Sequence, residues 1–204
     1  MRPDPLDDVL SDARAFGFLG PGPIEDQRRH AEAFLAAIDG PVGVAVDLGS
    51  GGGVPGLVLA RLLPGSRWVL VDAMARRTAF LDDAVARLGL ADRVTVRTAR
   101  AEDAGRDATL RGQADVVVAR GFGPPPVTAE CAAPFLRVGG ALVVSEPPAS
   151  EGQRWAEGGL DVLGLRLEAT LVGPPAFVRL RQVAVCPTLY PRRSGVPRKR
   201  PLWT

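Results

Sequence analysis

Two carboxylates and a glycine-rich loop are the residues of this sequence best suited to holding a charged small molecule. Asp47 lies near the end of a run typical of a β-strand, and the loop DLGSGGGVPG runs from it to Gly56. Glycines let the chain turn sharply and approach a ligand closely. The second carboxylate, Asp72, ends the next predicted strand. The loop residues expected to contact the ligand are Gly49, Ser50, Gly51 and Gly53.

The position of Asp47 favours a cationic ligand. A dinucleotide places its anionic pyrophosphate at the start of the helix after such a loop, where the Asp47 carboxylate would oppose it. S-adenosylmethionine instead carries an ammonium and a sulfonium group, both of which a carboxylate attracts. Asp72 can accept hydrogen bonds from both ribose hydroxyls, a role shared with dinucleotide sites. The loop therefore predicts S-adenosylmethionine as the cofactor, with a dinucleotide site or a generic α/β turn as the alternatives.

Residues at the ends of the third and fourth predicted strands complete the expected site. Ala101 and Glu102 follow the third strand and are expected to border the adenine ring. Arg120 follows the fourth strand, at the sheet edge where ligands bind in α/β folds. Methyl transfer to a ring nitrogen with a free lone pair needs no general base, so positioning and desolvation can supply most of the rate. Arg120 is therefore the predicted catalytic residue, orienting the acceptor through a phosphate or guanine O6. The alternative interpretation is a salt bridge from Arg120 to Asp47 or Glu146.

Other acceptor chemistries lack their usual residues. Adenine amino-group methyltransferases often carry an Asn/Asp-Pro-Pro-aromatic motif after the fourth strand, but here no Asn or Asp precedes the prolines at 124–126. Carbon methylation of pyrimidines needs a cysteine nucleophile, and Cys131 and Cys186 both have the context of small core residues. His30, the only histidine, is expected at the surface or in helix packing rather than in catalysis.

Short apolar runs alternate with helix-like segments along most of the chain, as in sheets covered on both faces. The predicted strands are 43–48, 67–72, 93–98, 114–119 and 140–145, and the predicted helices are 25–38, 55–63, 75–88 and 127–136. Two late strands, 160–172 and 176–187, are expected to pair antiparallel around a Gly-Pro-Pro turn. The pattern predicts an α/β Rossmann-like fold: a mainly parallel seven-stranded sheet with an antiparallel edge pair and helices on both faces.

The length and composition fit one domain. The chain has 204 residues, of which 46% are hydrophobic, enough for one substantial core. We expect a single domain, 1–204, with an N-terminal helical segment (1–40), a Rossmann-like core (41–187) and a basic C-terminal tail (188–204). The sequence shows neither an apolar signal-peptide core nor a run long enough to span a membrane. These features predict a cytoplasmic monomer that binds no metal and no membrane.

Positive charge is concentrated at the end of the chain. The net charge is only +2, which alone does not indicate a nucleic-acid partner. No acidic residue follows Glu168, however, while seven basic residues do. Tyr190 and Trp203 can stack on exposed bases, so this segment is a candidate RNA-binding surface, with a solvated, mobile tail as the alternative. The residues expected to contact RNA are Arg192, Arg193, Arg198, Lys199 and Arg200.

Several of these segments resemble the bacterial glucose-inhibited division protein B family. The matching pieces are 47–56, 71–81, 100–102, 119–121 and the closing segment YPRRSGVPRKRPL at 190–202. The resemblance implies a class I methyltransferase fold, with S-adenosylmethionine as the methyl donor and guanine N7 of 16S ribosomal RNA as the acceptor. Ribosomal RNA or the small ribosomal subunit would then be the partner. It also implies a pocket formed by Asp47, the loop glycines, Asp72, Ala73, Ala101, Glu102 and Arg120.

Two positions depart from the family pattern. Ala33 stands where the family has an acid three residues after His30. Glu146 stands where a lysine is expected after the fifth strand, a change of two charge units that predicts weaker binding of anionic RNA at the pocket mouth. These departures keep two alternatives open: a small-molecule methyltransferase, and a non-catalytic RNA- or ribosome-binding paralogue.

Overall fold

A seven-stranded sheet forms the centre of the protein. The computed structural model describes residues 4–148, 150 and 152–204, so 1–3, the beginning of the predicted N-terminal segment, lie outside the described residues. The strand order is β3-β2-β1-β4-β5-β7-β6. The strands are β1 Val44–Leu48, β2 Arg67–Asp72, β3 Val94–Thr98, β4 Ala114–Ala119, β5 Leu136–Glu146, β6 Leu165–Leu171 and β7 Ala176–Gln182.

The first five strands run parallel, and β7 pairs antiparallel with both β5 and β6. This is the predicted mainly parallel sheet with an antiparallel edge pair, and the fold prediction is confirmed. The order reverses between β1 and β4, which opens a crevice at their carboxyl ends. Asp47 on β1 and Arg120 after β4 therefore meet at this crevice.

Helices cover both faces of the sheet. The sheet separates two clusters of buried apolar residues. On strand β1, Val46 and Leu48 belong to one cluster and Ala45 belongs to the other. The first cluster includes α6 and the second α1, α3 and α4, so apolar residues on alternate sides of each strand are all buried. The helices are α1 Pro5–Ala15, α2 Ile24–Glu32, α3 Gly56–Leu62, α4 Ala75–Arg87, α5 Ala101–Ala104, α6 Pro125–Ala132, α7 Glu157–Asp161 and α8 Val196–Lys199.

The chain begins its described part with a helix that the sequence interpretation omitted. Asp4 caps α1 by accepting a hydrogen bond from the Leu6 amide, and Pro5 suits the first turn. The helix buries Leu6, Val9, Leu10 and Ala13, which recur at helical spacing. The predicted helix 25–38 corresponds to α2 followed by the 3₁₀ turn Ala33–Ala36.

The predicted strand 160–172 is wrong at its start. Residues 157–161 form α7, and β6 begins only at Leu165. Gly164 lies between them with a φ of +73°, a conformation that glycine adopts without strain and that interrupts an extended run. The second late strand also ends earlier than predicted, at Gln182 instead of 187.

The C-terminal tail makes specific contacts with the rest of the domain. Arg111 donates hydrogen bonds to the backbone oxygens of Cys186, Pro187 and Tyr190. Arg106 donates to the backbone oxygen of Pro191. These contacts hold the segment against the connection between α5 and β4, and α8 lies against α6. Among the helices that the structure describes, none has the length and apolar character needed to cross a membrane.

Candidate cofactor and acceptor site

The crevice at the carboxyl ends of the strands holds a cavity of about 520 Å³. Of the ten residues predicted to bind the cofactor, five line this cavity and five lie outside its wall. The wall residues are Gly49, Asp72, Ala73, Ala101 and Glu102. The predicted residues away from the wall are Asp47, Ser50, Gly51, Gly53 and Arg120.

The buried carboxylate of Asp72 organises one side of this cavity. One oxygen accepts from the Met74 amide at 2.9 Å, and the other accepts from the Gly51 amide at 3.0 Å. Arg77 lies 3.5 Å from the second oxygen and supplies a balancing positive charge. The first oxygen has capacity for a further hydrogen bond, so Asp72 can accept from a ribose hydroxyl there, whereas the second already accepts from both Gly51 and Arg77.

The glycine loop needs glycine for its conformation and its packing. Gly49 has a φ of +76°, and a Cβ there would lie 2.7 Å from the ring of Phe122. Gly53 has a φ of +87°, and a Cβ there would overlap Leu57. Gly51 has a φ of +54°, while the Ser50 hydroxyl donates to the backbone oxygen of Asp47 at 3.0 Å. These residues therefore position the loop backbone beside the cavity.

Asp47 supports the loop from behind the cavity wall. Its side chain is buried, and one oxygen accepts from the Gly56 amide at 3.1 Å, at the start of α3. Gly56 has no room for a Cβ beside this carboxylate. Burial raises the pKa of Asp47 to about 7, although the Gly56 amide and the charge of Arg120 act in the opposite direction. A cation arriving in the crevice would favour the ionised form.

Arg120 forms a hydrogen bond with Gln27, a residue that was not among the predicted partners. One guanidinium nitrogen, Nη2, donates to the side-chain oxygen of Gln27 on α2, and Gln27 in turn donates to the backbone oxygen of Pro21. The other nitrogen, Nη1, is buried without a hydrogen-bond partner among the described residues. The alternative of a salt bridge to Asp47 or Glu146 is wrong, since neither pairing is present within the part of the chain that the structure describes. Arg120 therefore keeps one unpaired donor, which is buried beside the cavity wall.

His30 has a packing role beside this site. Its Nε2 lies 2.8 Å from the hydroxyl of Ser145 on β5, and its ring lies against Phe34 and Phe177. Burial, followed by the positive charge of Arg120, lowers the pKa of His30 to about 4. The imidazole is therefore neutral at physiological pH and adds no charge to the acceptor side.

The C-terminal segment supplies part of the cavity wall. Glu102 accepts from the Gly195 amide at 2.8 Å, and Asp103 accepts from the Ser194 hydroxyl at 2.7 Å. Gly195, Arg198 and Lys199 line the cavity as a result. Sequence reasoning placed Arg198 and Lys199 only on an RNA surface and gave no indication of this second position.

Other wall residues were not predicted from the sequence. Cys131 is buried, and burial raises the pKa of its thiol, so it remains a neutral apolar contact as expected of a core cysteine. Arg77 belongs to the basic pair in the family resemblance, but its contact with Asp72 gave no separate signal. The additional wall residues are Val71, Met74, Arg77, Ala99, Arg100, Gly121, Phe122, Val127 and Cys131.

The five predicted RNA-contact residues separate into two groups. The guanidinium of Arg192 is held at 2.6–2.8 Å by the fully buried carboxylate of Glu130, which also accepts from the Arg192 amide. This pairing gives Arg192 a structural role that the sequence did not indicate. The other four form no ion pair with any residue that the structure describes: Arg193, Arg198, Lys199 and Arg200.

The negative charge of Glu146 is balanced within the protein. Its carboxylate accepts from the Ser150 hydroxyl at 2.6 Å and pairs with Arg154 at 3.2 Å. Of the expected loss of two charge units, one is therefore recovered, because Arg154 supplies a cation that the sequence did not indicate. Within the described ranges, no group of three or more His, Cys, Asp or Glu side chains could hold a metal ion.

The wall of the cavity fits a nucleoside carrying a cationic substituent. Apolar surfaces from Val71, Ala99 and Ala101 can border a base, while Asp72 offers a carboxylate for a ribose. The loop backbone and the buried Asp47 lie toward β1, where a positive group would be stabilised. This donor set agrees with S-adenosylmethionine better than with a ligand that brings a pyrophosphate.

The chain is similar to one family of known sequence. Residues 33–151 match the family GidB, described as rRNA small subunit methyltransferase G. The ribosomal RNA small subunit methyltransferase G of Parasynechococcus marenigrum is 40% identical over 167 residues, which cover 78% of this chain and 67% of the relative. The enzyme of the same name from Rubrobacter xylanophilus is 40% identical over 171 residues, covering 78% of this chain and 65% of the relative. The chain thus spans about two thirds of these curated relatives.

Solved structures share the architecture at low identity. An O-methyltransferase from Bacillus cereus in complex with SAH superimposes with a TM-score of 0.64 and 18% identity, covering 89% of this chain and 91% of the other. A putative O-methyltransferase from Klebsiella pneumoniae gives a TM-score of 0.63 at 17% identity, covering 90% and 92%. These similarities identify the fold as that of class I methyltransferases.

Proposed function

The chain belongs to the GidB family of rRNA small subunit methyltransferases G, and on that premise we propose that it methylates guanine N7 of 16S ribosomal RNA with S-adenosylmethionine as donor. The family resemblance found in the sequence is confirmed. The observation that carries the proposal is the cavity at the β1/β4 crevice, with Asp72 on its wall and Arg120 beside it.

We assign the cofactor to the residues around this cavity. Asp72 would accept hydrogen bonds from the ribose, and Ala73, Ala101 and Glu102 would border the adenine. The loop from Gly49 to Gly53 and the ionised carboxylate of Asp47 would hold the methionine end. When bound, the cofactor supplies an electrophilic methyl group on a sulfonium centre.

Arg120 is the proposed orienting residue for the acceptor. Its Nη1 lacks a partner among the described residues, so it can donate to guanine O6 or a phosphate and leave the N7 lone pair free. Gln27 restrains the guanidinium, and neutral His30 leaves the local charge to Arg120. Because N7 carries no proton, the site has no need of a general base, and its contribution is orientation and exclusion of water.

The partner proposed for the basic surface is ribosomal RNA, either free or in the small subunit. Arg193, Arg198, Lys199 and Arg200 have no internal ion pairs in the described structure, so their charges are available to phosphates. A small-molecule acceptor was suggested by Glu146, and the pairing of Glu146 with Arg154 weakens that argument. The location that follows from a ribosomal substrate is the cytoplasm, and we expect the protein to act there as a monomer.

The test is transfer of radiolabelled methyl from S-adenosylmethionine to small ribosomal subunits that lack N7 methylation. We expect the label to be recovered as 7-methylguanosine after digestion of the 16S RNA. Isothermal titration with the cofactor serves as the matching binding measurement. Cofactor binding without labelled RNA would contradict the proposed acceptor and would support a non-catalytic or small-molecule relative.

A further inference from the structure

A second cavity of about 350 Å³ adjoins the cofactor cavity. Arg198 and Val127 line both, so these two residues form a shared wall between them. The rest of the second cavity comes from the start of α6, the segment after Glu146 and the end of the chain. Its other lining residues are Pro124, Pro125, Pro126, Gln153, Arg154, Ala156, Pro201, Trp203 and Thr204.

An indole ring is held at one side of this second cavity. The Trp203 Nε1 donates to the backbone oxygen of Arg154 at 3.0 Å, and the ring lies directly on Gly159, where a Cβ would overlap it. These two contacts fix the position of the ring, while Trp203 stays partly exposed and lines the cavity. An ordered aromatic surface of this kind is suited to stacking on a planar group.

Two guanidinium groups line the cavity, and the charge of one of them, Arg198, is not balanced by a carboxylate in the described structure. The side chain of Arg154 is 46% exposed and contacts Glu146 through one nitrogen, which leaves its other donors available. Arg198 forms no ion pair within the described part of the chain. No Asp or Glu side chain lines the cavity. Arginines beside an aromatic ring can bind a phosphate while the ring stacks on a base.

We propose that this second cavity, the flanking-nucleotide cleft, binds an RNA nucleotide next to the acceptor guanine. The base would lie against Trp203 and its phosphate between Arg154 and Arg198. The shared wall of Val127 and Arg198 carries the argument, since it places the cleft directly beside the cavity proposed to hold the methyl donor, and the RNA strand that carries the acceptor guanine must approach that donor. The inference rests on the proposed function, because it requires an RNA substrate, and it adds a site for substrate recognition.

The test uses the full-length protein with unmethylated 16S ribosomal RNA as the probe. Trp68 and Trp155 are buried, whereas Trp203 is partly exposed, so a base stacked on Trp203 should quench the exposed part of the tryptophan fluorescence. For Trp203→Ala we expect roughly tenfold weaker RNA binding, the size of one base–aromatic stack. Trp203→Phe should stay within about twofold of the wild type, which separates stacking from a general loss of structure.

Arg154→Ala tests the phosphate contact. The plot of log affinity against log salt concentration should become less steep by about one unit, as expected for one lost phosphate contact. The control is Arg166→Ala, at an exposed arginine on the edge strand β6, which should change neither the affinity nor this slope. Cofactor affinity, measured by isothermal titration, should be the same for all these variants. Thermal unfolding of each variant checks that the fold is retained.

Two outcomes would contradict the proposal that the flanking-nucleotide cleft binds RNA. The first is wild-type RNA affinity in Trp203→Ala together with no fluorescence quenching. The second is weaker binding of Trp203→Ala to small subunits with unchanged binding to protein-free RNA, which would indicate contact with a ribosomal protein instead. Failure of the proposed function would look different: the wild type would transfer no methyl group while Trp203 fluorescence still responded to RNA.

Discussion

The two sides of the crevice differ in the sequence separation of their hydrogen-bonded residues. On the cofactor side, Asp72 and Gly51 are 21 positions apart, whereas on the acceptor side Arg120 and Gln27 are 93 positions apart. Also on the acceptor side, His30 and Ser145 are 115 positions apart, while on the cofactor side the contact of Glu102 with Gly195, 93 positions apart, is a long-range exception. The cofactor side is therefore formed largely within adjoining β–loop–α units. The acceptor side is assembled from distant helices, strand ends and the C-terminal segment.

This contrast indicates that the two sides can be altered separately. A local unit such as the glycine loop positions its ligand groups through its own backbone. An assembled side depends on the helices and terminal segment that bring its partners together. Substitutions on the first side should act on cofactor affinity, and those on the second should act on turnover, stability or RNA affinity.

The largest expected effect comes from Asp72→Ala. It should weaken cofactor binding by about 100-fold, because the carboxylate is the proposed ribose ligand and also fixes the Gly51 and Met74 amides. Isothermal titration measures the change, and RNA affinity should stay within about twofold. Unchanged cofactor affinity would remove Asp72 from the ribose assignment, and equal losses for cofactor and RNA would contradict the separation of the two sides.

The next effect concerns stability. Arg192→Ala should lower the free energy of unfolding by about 2–3 kcal/mol, because fully buried Glu130 loses its partner guanidinium. The Arg192 amide still donates to Glu130, and the arginine is partly exposed, so the loss should lie below that of a fully buried pair. Urea denaturation provides the measurement.

Arg193→Ala is the matched control for Arg192, being the adjacent arginine and forming no ion pair in the described structure. Its free energy of unfolding should stay within about 0.5 kcal/mol of the wild type. Its RNA affinity should fall with a smaller salt slope. If both variants leave stability unchanged, the C-terminal segment does not depend on the Glu130 pair.

Gln27→Ala sharpens the contrast on the acceptor side. Removing the partner of Arg120 should lower kcat about tenfold, because the guanidinium is no longer held toward the crevice. Cofactor affinity should be unchanged, since Gln27 does not line the cofactor cavity. Gln27→Glu keeps a partner for Arg120 and should recover most of the turnover. A tenfold loss of cofactor affinity in Gln27→Ala would instead assign Gln27 to the cofactor side of the crevice.

The smallest expected effect is on the pH dependence of cofactor binding. Burial raises the pKa of Asp47 to about 7, so the fraction that is ionised, and able to stabilise a cation, rises as the pH increases through that value. Affinity should therefore increase about fourfold between pH 6.5 and 8 if the ionised form is the one that binds. His30 does not contribute in this range, since its pKa is about 4. Asp47→Asn should flatten the profile, and a profile unchanged by that substitution would exclude Asp47 as its source.

The separation between local and distant contacts also explains what the sequence could predict. Strand β1, the glycine loop and Asp72 carry their signals within a short stretch, as apolar alternation, turn residues and a carboxylate at a strand end. All seven strands and the crevice were accordingly predicted, with errors only at element boundaries and in α1, α5, α7 and α8. The sequence did contain a signal for α1, although the prediction omitted this helix. Asp4-Pro5 is typical of a helix start, and the apolar residues after it recur at helical spacing.

The acceptor side could be predicted only in part. Nothing about a glutamine on a helix indicates that it contacts Arg120. The pairing of Glu130 with Arg192 joins distant segments, and that of Glu146 with Arg154 depends on the path of the irregular segment between them. These contacts depend on the tertiary arrangement of α2, α6 and the chain end. A single sequence records the charges but not which of them neutralise one another.

Gly195, Arg198 and Lys199 belong to a segment that lines the cofactor cavity and carries the basic surface. An element shared by two sites is one through which their ligands can change each other's affinity. Whatever factor RNA applies to cofactor affinity through this segment, the cofactor must apply to RNA affinity in return. The same reciprocity applies to the spent cofactor, so any change that bound RNA makes in its affinity is matched by an equal change in the affinity for RNA.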